Sequence, residues 1–164
     1  FNHQYLQRID DEELLGDFVS VVKEKMPDAG PWMLDPGYLS KIIGLVKERV
    51  NFVNEIWDQS WFFFMAPEQY DEKTVKKRWK EDTGGLLMDV MEVIKGVNHF
   101  TRDEIHDAVA AYLEEKEIGM GKVMMGMRLC IVGSGTGPDL FTIMEMIGRE
   151  ETVARIEKGV ESLG

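Results

Sequence analysis

Apolar residues recur every three or four positions along nearly the whole chain, and that spacing restricts it to helices that each bury one face. Leu14, Phe18, Val21 and Val22 share a face of a first helix, which Asp10 or Asp11 can cap and which reaches about Met26. After a loop from Pro27 to Pro31, Asp35-Pro36 combines a capping side chain with a proline suited to the first helical position. The stripe then continues through Tyr38, Ile42, Leu45, Val46 and Val50 toward Ile56, which predicts one unbroken helix. The aromatic run from Trp57 to Phe64 has no neighbouring run to pair with as a strand, so it reads as a helix end packed into the core.

Ala66-Pro67 breaks the pattern. Beyond it come a short helix over residues 71–80 and one from Leu86, after Gly84-Gly85, to about Val97. Thr101-Arg-Asp-Glu104 has the form of a capping box for a helix to Glu117. A mostly apolar segment spans residues 120–132, and two further helices are predicted over residues 138–148 and 151–163. The expectation is an all-α protein divided near Pro67.

The stretch Met127-Arg-Leu-Cys-Ile-Val-Gly-Ser-Gly-Thr-Gly-Pro-Asp-Leu140 resembles a phosphate-binding turn between a strand and a helix. Its details do not fit one. Gly133, Gly135 and Gly137 are spaced G-x-G-x-G, Pro138 stands where a third dinucleotide-binding glycine belongs, and no Lys-Ser or Lys-Thr follows. The chain after Leu140 is also too short for the rest of a βαβ unit. The stretch reads instead as a helix start, with Gly137 as cap, Pro138 at the first position and Asp139 complementing the dipole.

At 164 residues the chain can bury a real core. A formal net charge of −11 excludes a general nucleic-acid coat, which needs a broad basic face, but leaves room for a small RNA contact built from a few cations. Cys130 is the single cysteine, in an apolar run, which fits a buried residue and a reducing compartment. His3, His99 and His106 show no metal-ligand spacing, so no metal site is expected. The apolar run Trp61-Phe-Phe-Phe-Met65 is too short to span a membrane.

Two arginines stand among apolar residues. Advancing about 100° per residue from Ile42 brings Arg49 into the apolar stripe, and Arg128 is the one charge between Val123 and Val132. Either arginine can pair with a carboxylate or snorkel, and either can line a crevice for a ligand's oxygen atoms. Lys73, Lys76, Lys77, Arg78 and Lys80 read as a solvated helix face, with phosphate attraction as the lesser alternative. The eleven methionines, Met120, Met124, Met125, Met127, Met144 and Met146 among them, suit core filling or an adaptable protein-binding surface. No catalytic constellation stands out.

The block from Gly121 through Gly133-Ser-Gly-Thr-Gly-Pro-Asp-Leu-Phe141 to Ile147-Gly-Arg-Glu-Glu-Thr-Val-Ala-Arg-Ile156 resembles the C-terminal end of bacterial glutamyl-tRNA synthetases (glutamate–tRNA ligases). That family shows a Pro-Leu-Arg-aliphatic-aliphatic-Thr-Gly turn, then Gly-Pro-x-Leu, Leu-Gly-Lys-Glu and a closing Arg-Leu or Arg-Ile. Phe1-Asn-His-Gln-Tyr5 resembles the element opening the family's helical half, and Leu45-Val-Lys-Glu-Arg-Val50 the helix before its subdomain junction. The resemblance implies a helical bundle in two packed anticodon-binding subdomains, residues 1–67 and 68–164. It implies that Arg49 reads the third anticodon base, and that Arg128, Gly137, Pro138 and Leu140 surround the first two.

By the same resemblance the partners are the anticodon loop of tRNA-Glu and, within one chain, upstream catalytic and stem-contact domains. The parent would be a cytoplasmic monomer with no membrane association, using ATP and magnesium. The fragment itself would hold no cofactor and be catalytically inactive, since the family's nucleotide-binding signatures are absent from it. Met127 stands in place of the family's proline, Val132 in place of its threonine, and Gly137 brings no hydroxyl. The rival expectations are a helical protein–protein interaction module using a methionine-rich surface and, more remotely, a nucleotide-binding enzyme.

Overall fold

A computed structural model describes residues 11–50 and 53–164, the side chains of residues 11, 53 and 54 excepted. The Phe1–Tyr5 element, His3 and the alternative cap Asp10 lie outside the described residues. All regular elements among the described residues are helical. The chain divides into two compact units, one ending at Met65 and the other running from Ala66 to Gly164.

In the first unit, helix α1 (Asp11–Lys25) packs on α2 (Pro36–Val46) and α3 (Val53–Asp58). Asp35 caps α2 by accepting the Tyr38 amide at 3.0 Å, with Pro36 at the start. Leu14, Phe18, Val22, Leu39, Ile42, Ile43, Val46 and Ile56 form the core. Phe64 closes it, stacked on Trp57 at 5.4 Å and edge-on to Phe18 and Tyr38. The Tyr38 hydroxyl donates to the Phe63 carbonyl at 2.5 Å, so the aromatic run is tied to α2 by polar as well as apolar contact.

The predicted unbroken helix from Asp35 toward Ile56 is not formed. Regular helix ends at Val46, a 3₁₀ turn covers Lys47–Arg49, and Val50 is extended (φ −127°, ψ 157°) before α3 begins at Val53. β-Branched Val46 and Val50 are weak helix formers, and Val50 adopts the extended backbone that such residues favour.

The second unit holds α4 (Glu72–Arg78), α5 (Thr83–Lys95), α6 (Arg102–Glu115), α7 (Met120–Val132), α8 (Leu140–Ile147) and α9 (Arg149–Leu163). Helix α7 is apolar because α4, α5 and α9 all pack on it, burying Val123, Gly126, Met127 and residues 129–132. Two glycines set the approach distances. A Cβ on Gly126 would lie 2.8 Å from Thr83 Cγ2, and one on Gly159 would lie 2.3 Å from Cys130 Sγ. Burial at that crossing pushes the Cys130 thiol up to about 12, so it is an inert core group. Helix α5 starts at Thr83, earlier than the glycine pair suggests, and the Thr83 hydroxyl accepts the Lys80 amide at 2.9 Å. Thr101 caps α6 by accepting the Glu104 amide at 3.3 Å.

Two glycine substitutions separate helix propensity from packing. Gly44, exposed on α2, has open space around its missing Cβ, so Gly44→Ala is expected to stabilise the chain by about 0.5–1 kcal/mol. Gly159→Ala is expected to destabilise it by about 1–3 kcal/mol despite the same propensity gain, because α9 must move off Cys130. Urea unfolding of both variants checks this, and equal effects would contradict it.

Candidate nucleic-acid interface

The glycine-rich turn is fixed at both ends. Helix α7 stops at Gly133, which is left-handed (φ +86°) and returns its amide to the Leu129 carbonyl at 2.8 Å. A Cβ there would lie 2.7 Å from the Gln69 carbonyl and 2.9 Å from Pro67 Cβ, so only glycine fits. The Asp71 amide donates to the Gly133 carbonyl at 2.8 Å, joining the segment after Pro67 to the turn. Arg128, half-buried on the last turns of α7, donates from Nη1 to the Pro138 carbonyl at 2.9 Å and spans the turn. Gly137 sits at φ +149°, a backbone geometry that side chains rarely adopt, which accounts for glycine where the family resemblance implies a hydroxyl.

The helix after the turn does not begin where the sequence reading puts it. Asp139 is the cap, accepting both the Thr142 amide and the Thr142 hydroxyl at 2.9 Å, and α8 starts at Leu140. Gly137 and Pro138 stay outside the helix, since the Thr142 amide that a helical Pro138 carbonyl would accept goes to the Asp139 side chain. Burial opposes ionisation of Asp139, but hydrogen bonds from Arg102 and Thr142 outweigh it and hold the carboxyl below its usual range.

Two further arginines organise this region without having been singled out in the sequence. Arg102 donates from Nε to Asp139 at 3.1 Å and from its backbone amide to Glu145 at 2.8 Å, linking the start of α6 to α8. A cation in the first turn of a helix opposes the dipole, and that misfit was a legible signal of a nearby acid. Arg155 is buried on α9, with Nε to Glu151 at 2.7 Å and Nη1 to the Ile131 carbonyl at 2.9 Å. Its i, i+4 spacing to Glu151 is visible in the sequence, whereas its bond to α7 is not.

The predicted site residues therefore divide. Arg128, Gly137 and Pro138 come together at the turn. Leu140 opens α8 and is wholly buried, so it shapes the turn from the core side. Arg49 belongs to the other unit. It lies on the 3₁₀ turn after α2 and is exposed, with no hydrogen-bond or ion-pair partner among the described residues. The expectation that it lies in the apolar stripe fails because the chain leaves helical geometry at Val46, three residues before it.

Met127 and Met144 are core residues, while Met120, Met124, Met125 and Met146 are half-buried. Among the described residues no His, Cys, Asp and Glu side chains gather into a metal-binding group, and no helix is long and apolar enough to cross a membrane.

Residues 12–160 match the family of anticodon binding domains. The chain is 44% identical over 164 residues to the glutamate–tRNA ligase of Porphyromonas gingivalis, covering 100% of this chain and 32% of that protein. It is 41% identical over 163 residues to that of Christiangramia forsetii, covering 99% and 31% respectively. A crystal structure of a glutamate tRNA ligase from Elizabethkingia meningosepticum in complex with its amino acid superposes with a TM-score of 0.88 at 42% identity, over 99% of this chain and 31% of that one. The chain thus spans about a third of the length of the curated relatives it matches.

Asp139→Ala is expected to cost about 1 kcal/mol at pH 7 through loss of the cap. Because the native carboxyl titrates below its unfolded value, its stabilisation is complete above about pH 4 and is lost as pH falls through the lower native value. The deficit of the variant in urea unfolding should therefore narrow as pH falls below about 4. A deficit that stays constant with pH would contradict the role given to this carboxylate.

Proposed function

This chain belongs to the family of anticodon binding domains, and on that premise we propose that it reads the anticodon loop of tRNA-Glu as part of a glutamate–tRNA ligase. The observation that carries the reading is the Arg128–Pro138 bond, which holds an arginine against a turn in which Gly135 and Gly137 are half-buried. Single-stranded RNA is recognised by splaying bases out and bonding their edges, and a pre-positioned guanidinium loses little freedom in doing so. Leu140 and Phe141 are buried and fix the start of α8 behind the turn, where the first intrahelical bond runs from the Ile143 N–H to the Asp139 carbonyl at 3.1 Å. In this way Gly137, Pro138 and Leu140 contribute backbone shape, and Arg128 positions them around the first two anticodon bases.

Arg49 serves the third base. Its exposed guanidinium presents forked donors that match the O2 and N3 acceptors of cytosine, whereas guanine presents a donor edge in the same place. The parent protein attaches glutamate to tRNA-Glu with ATP and magnesium in a catalytic domain outside this chain. It works as a cytoplasmic monomer apart from membranes, and this segment has no catalytic step of its own. With a formal net charge of −11, the segment binds by a few directed contacts, and stem contacts from the rest of the parent add affinity.

Titration of the chain with a tRNA-Glu anticodon stem-loop at low salt should show saturable binding. Arg49→Gln should reduce the preference for cytosine over guanine at the third anticodon position about tenfold. Absence of saturable binding, or an unchanged preference in Arg49→Gln, would overturn the assignment.

A further inference from the structure

Helix α4 carries Lys73, Lys76, Lys77 and Arg78, and Lys80 follows, the densest run of cations in an acidic chain. Four other cations of the second unit engage carboxylates: Lys95 with Glu92, Arg102 with Asp139, Lys122 with Asp82 and Arg155 with Glu151. Lys73, Lys77 and Arg78 have no hydrogen-bond or ion-pair partner among the described residues. All three line one open cleft of about 400 Å³, whose other wall is residues 134–136 of the glycine-rich turn. The two walls meet closely because residue 135 is glycine, a Cβ there falling 3.3 Å from the Thr74 hydroxyl. The one carboxylate on the lining, Asp71, is already engaged by the Thr74 amide at 3.0 Å and the Thr74 hydroxyl at 2.5 Å.

A solvated face explains cations spread around a helix, but it does not explain three unpaired ones directed to the same cleft. The turn forming the far wall continues directly into Gly137 and Pro138, which puts the cleft next to the residues assigned to the anticodon bases. We infer that the α4–turn cleft binds phosphate groups of the RNA backbone beside the anticodon, with Lys73, Lys77 and Arg78 as the phosphate-binding cations. Such contacts add affinity and register without base preference. The inference rests on the anticodon-loop reading and extends it to residues that reading does not use.

The test is the chain carrying Lys73→Gln, Lys77→Gln and Arg78→Gln together, titrated over a range of sodium chloride. The probes are the tRNA-Glu anticodon stem-loop and the same RNA with guanine for cytosine at the third anticodon position. Each single-strand phosphate contact contributes about 0.7 to the slope of log affinity against log salt, so the slope should fall by about 2. Both RNAs should weaken by the same factor, and a Lys73→Arg, Lys77→Arg variant should keep the wild-type slope. An unchanged slope in the glutamine variant, with wild-type binding intact, overturns the cleft assignment and leaves the anticodon reading standing. Absence of saturable wild-type binding overturns both. A changed cytosine preference with an unchanged slope also overturns it, since these cations would then act on bases.

Discussion

Helix α7 ends inside the second unit, where its last carbonyls have no water to turn to and would each be costly to leave without a donor. The sequence meets this with a left-handed glycine and a buried arginine. Gly133 folds its own amide back to Leu129, and Arg155 brings a guanidinium from α9 to the Ile131 carbonyl. A cation at this end also complements the helix dipole, and a hydrogen bond from a charged donor is worth about 1.5–3 kcal/mol. The Asp71 amide takes the Gly133 carbonyl, so the chain reverses sharply with its polar groups paired. Everything the following turn does depends on that reversal being rigid.

Given a fixed exit from α7, a second set of bonds shapes the outer half of the turn. Arg128 reaches forward to Pro138, Asp139 caps α8, and Arg102 holds Asp139 from α6. The first two join a side chain to the main chain and the third joins two side chains, and they leave Gly135 and Gly137 half-buried on the turn. Such a turn can approach a base or a phosphate more closely than one carrying side chains. It also fits the RNA recognition proposed for an acidic chain, since a few placed cations can supply directed contacts without a broad basic face.

Much of this was legible in the residues. Helical spacing, the Asp35 and Thr101 caps and the burial of Cys130 all follow from local chemistry. The break at Val46 was not legible, because the apolar stripe of α2 runs on through Val50 and conceals the change of geometry that carries Arg49 to the surface. The start of α8 was misplaced because Gly137, Pro138 and Asp139 are all plausible at a helix entrance, and the choice falls to Asp139, which takes the Thr142 amide and is held by Arg102 from another helix. Arg155 and the α4 cleft were invisible for the same reason. Each is defined by a partner far along the chain, which a periodicity reading does not register.

The most direct test maps where RNA touches the chain. Backbone amide shifts would be followed by nuclear magnetic resonance as a tRNA-Glu anticodon stem-loop is added to isotope-labelled protein. The largest changes are expected at residues 134–141 and around Arg49, with the C-terminal half of α6 unaffected. Changes centred on that half of α6, or none at the glycine-rich turn while RNA is bound, would contradict the assignment of this surface.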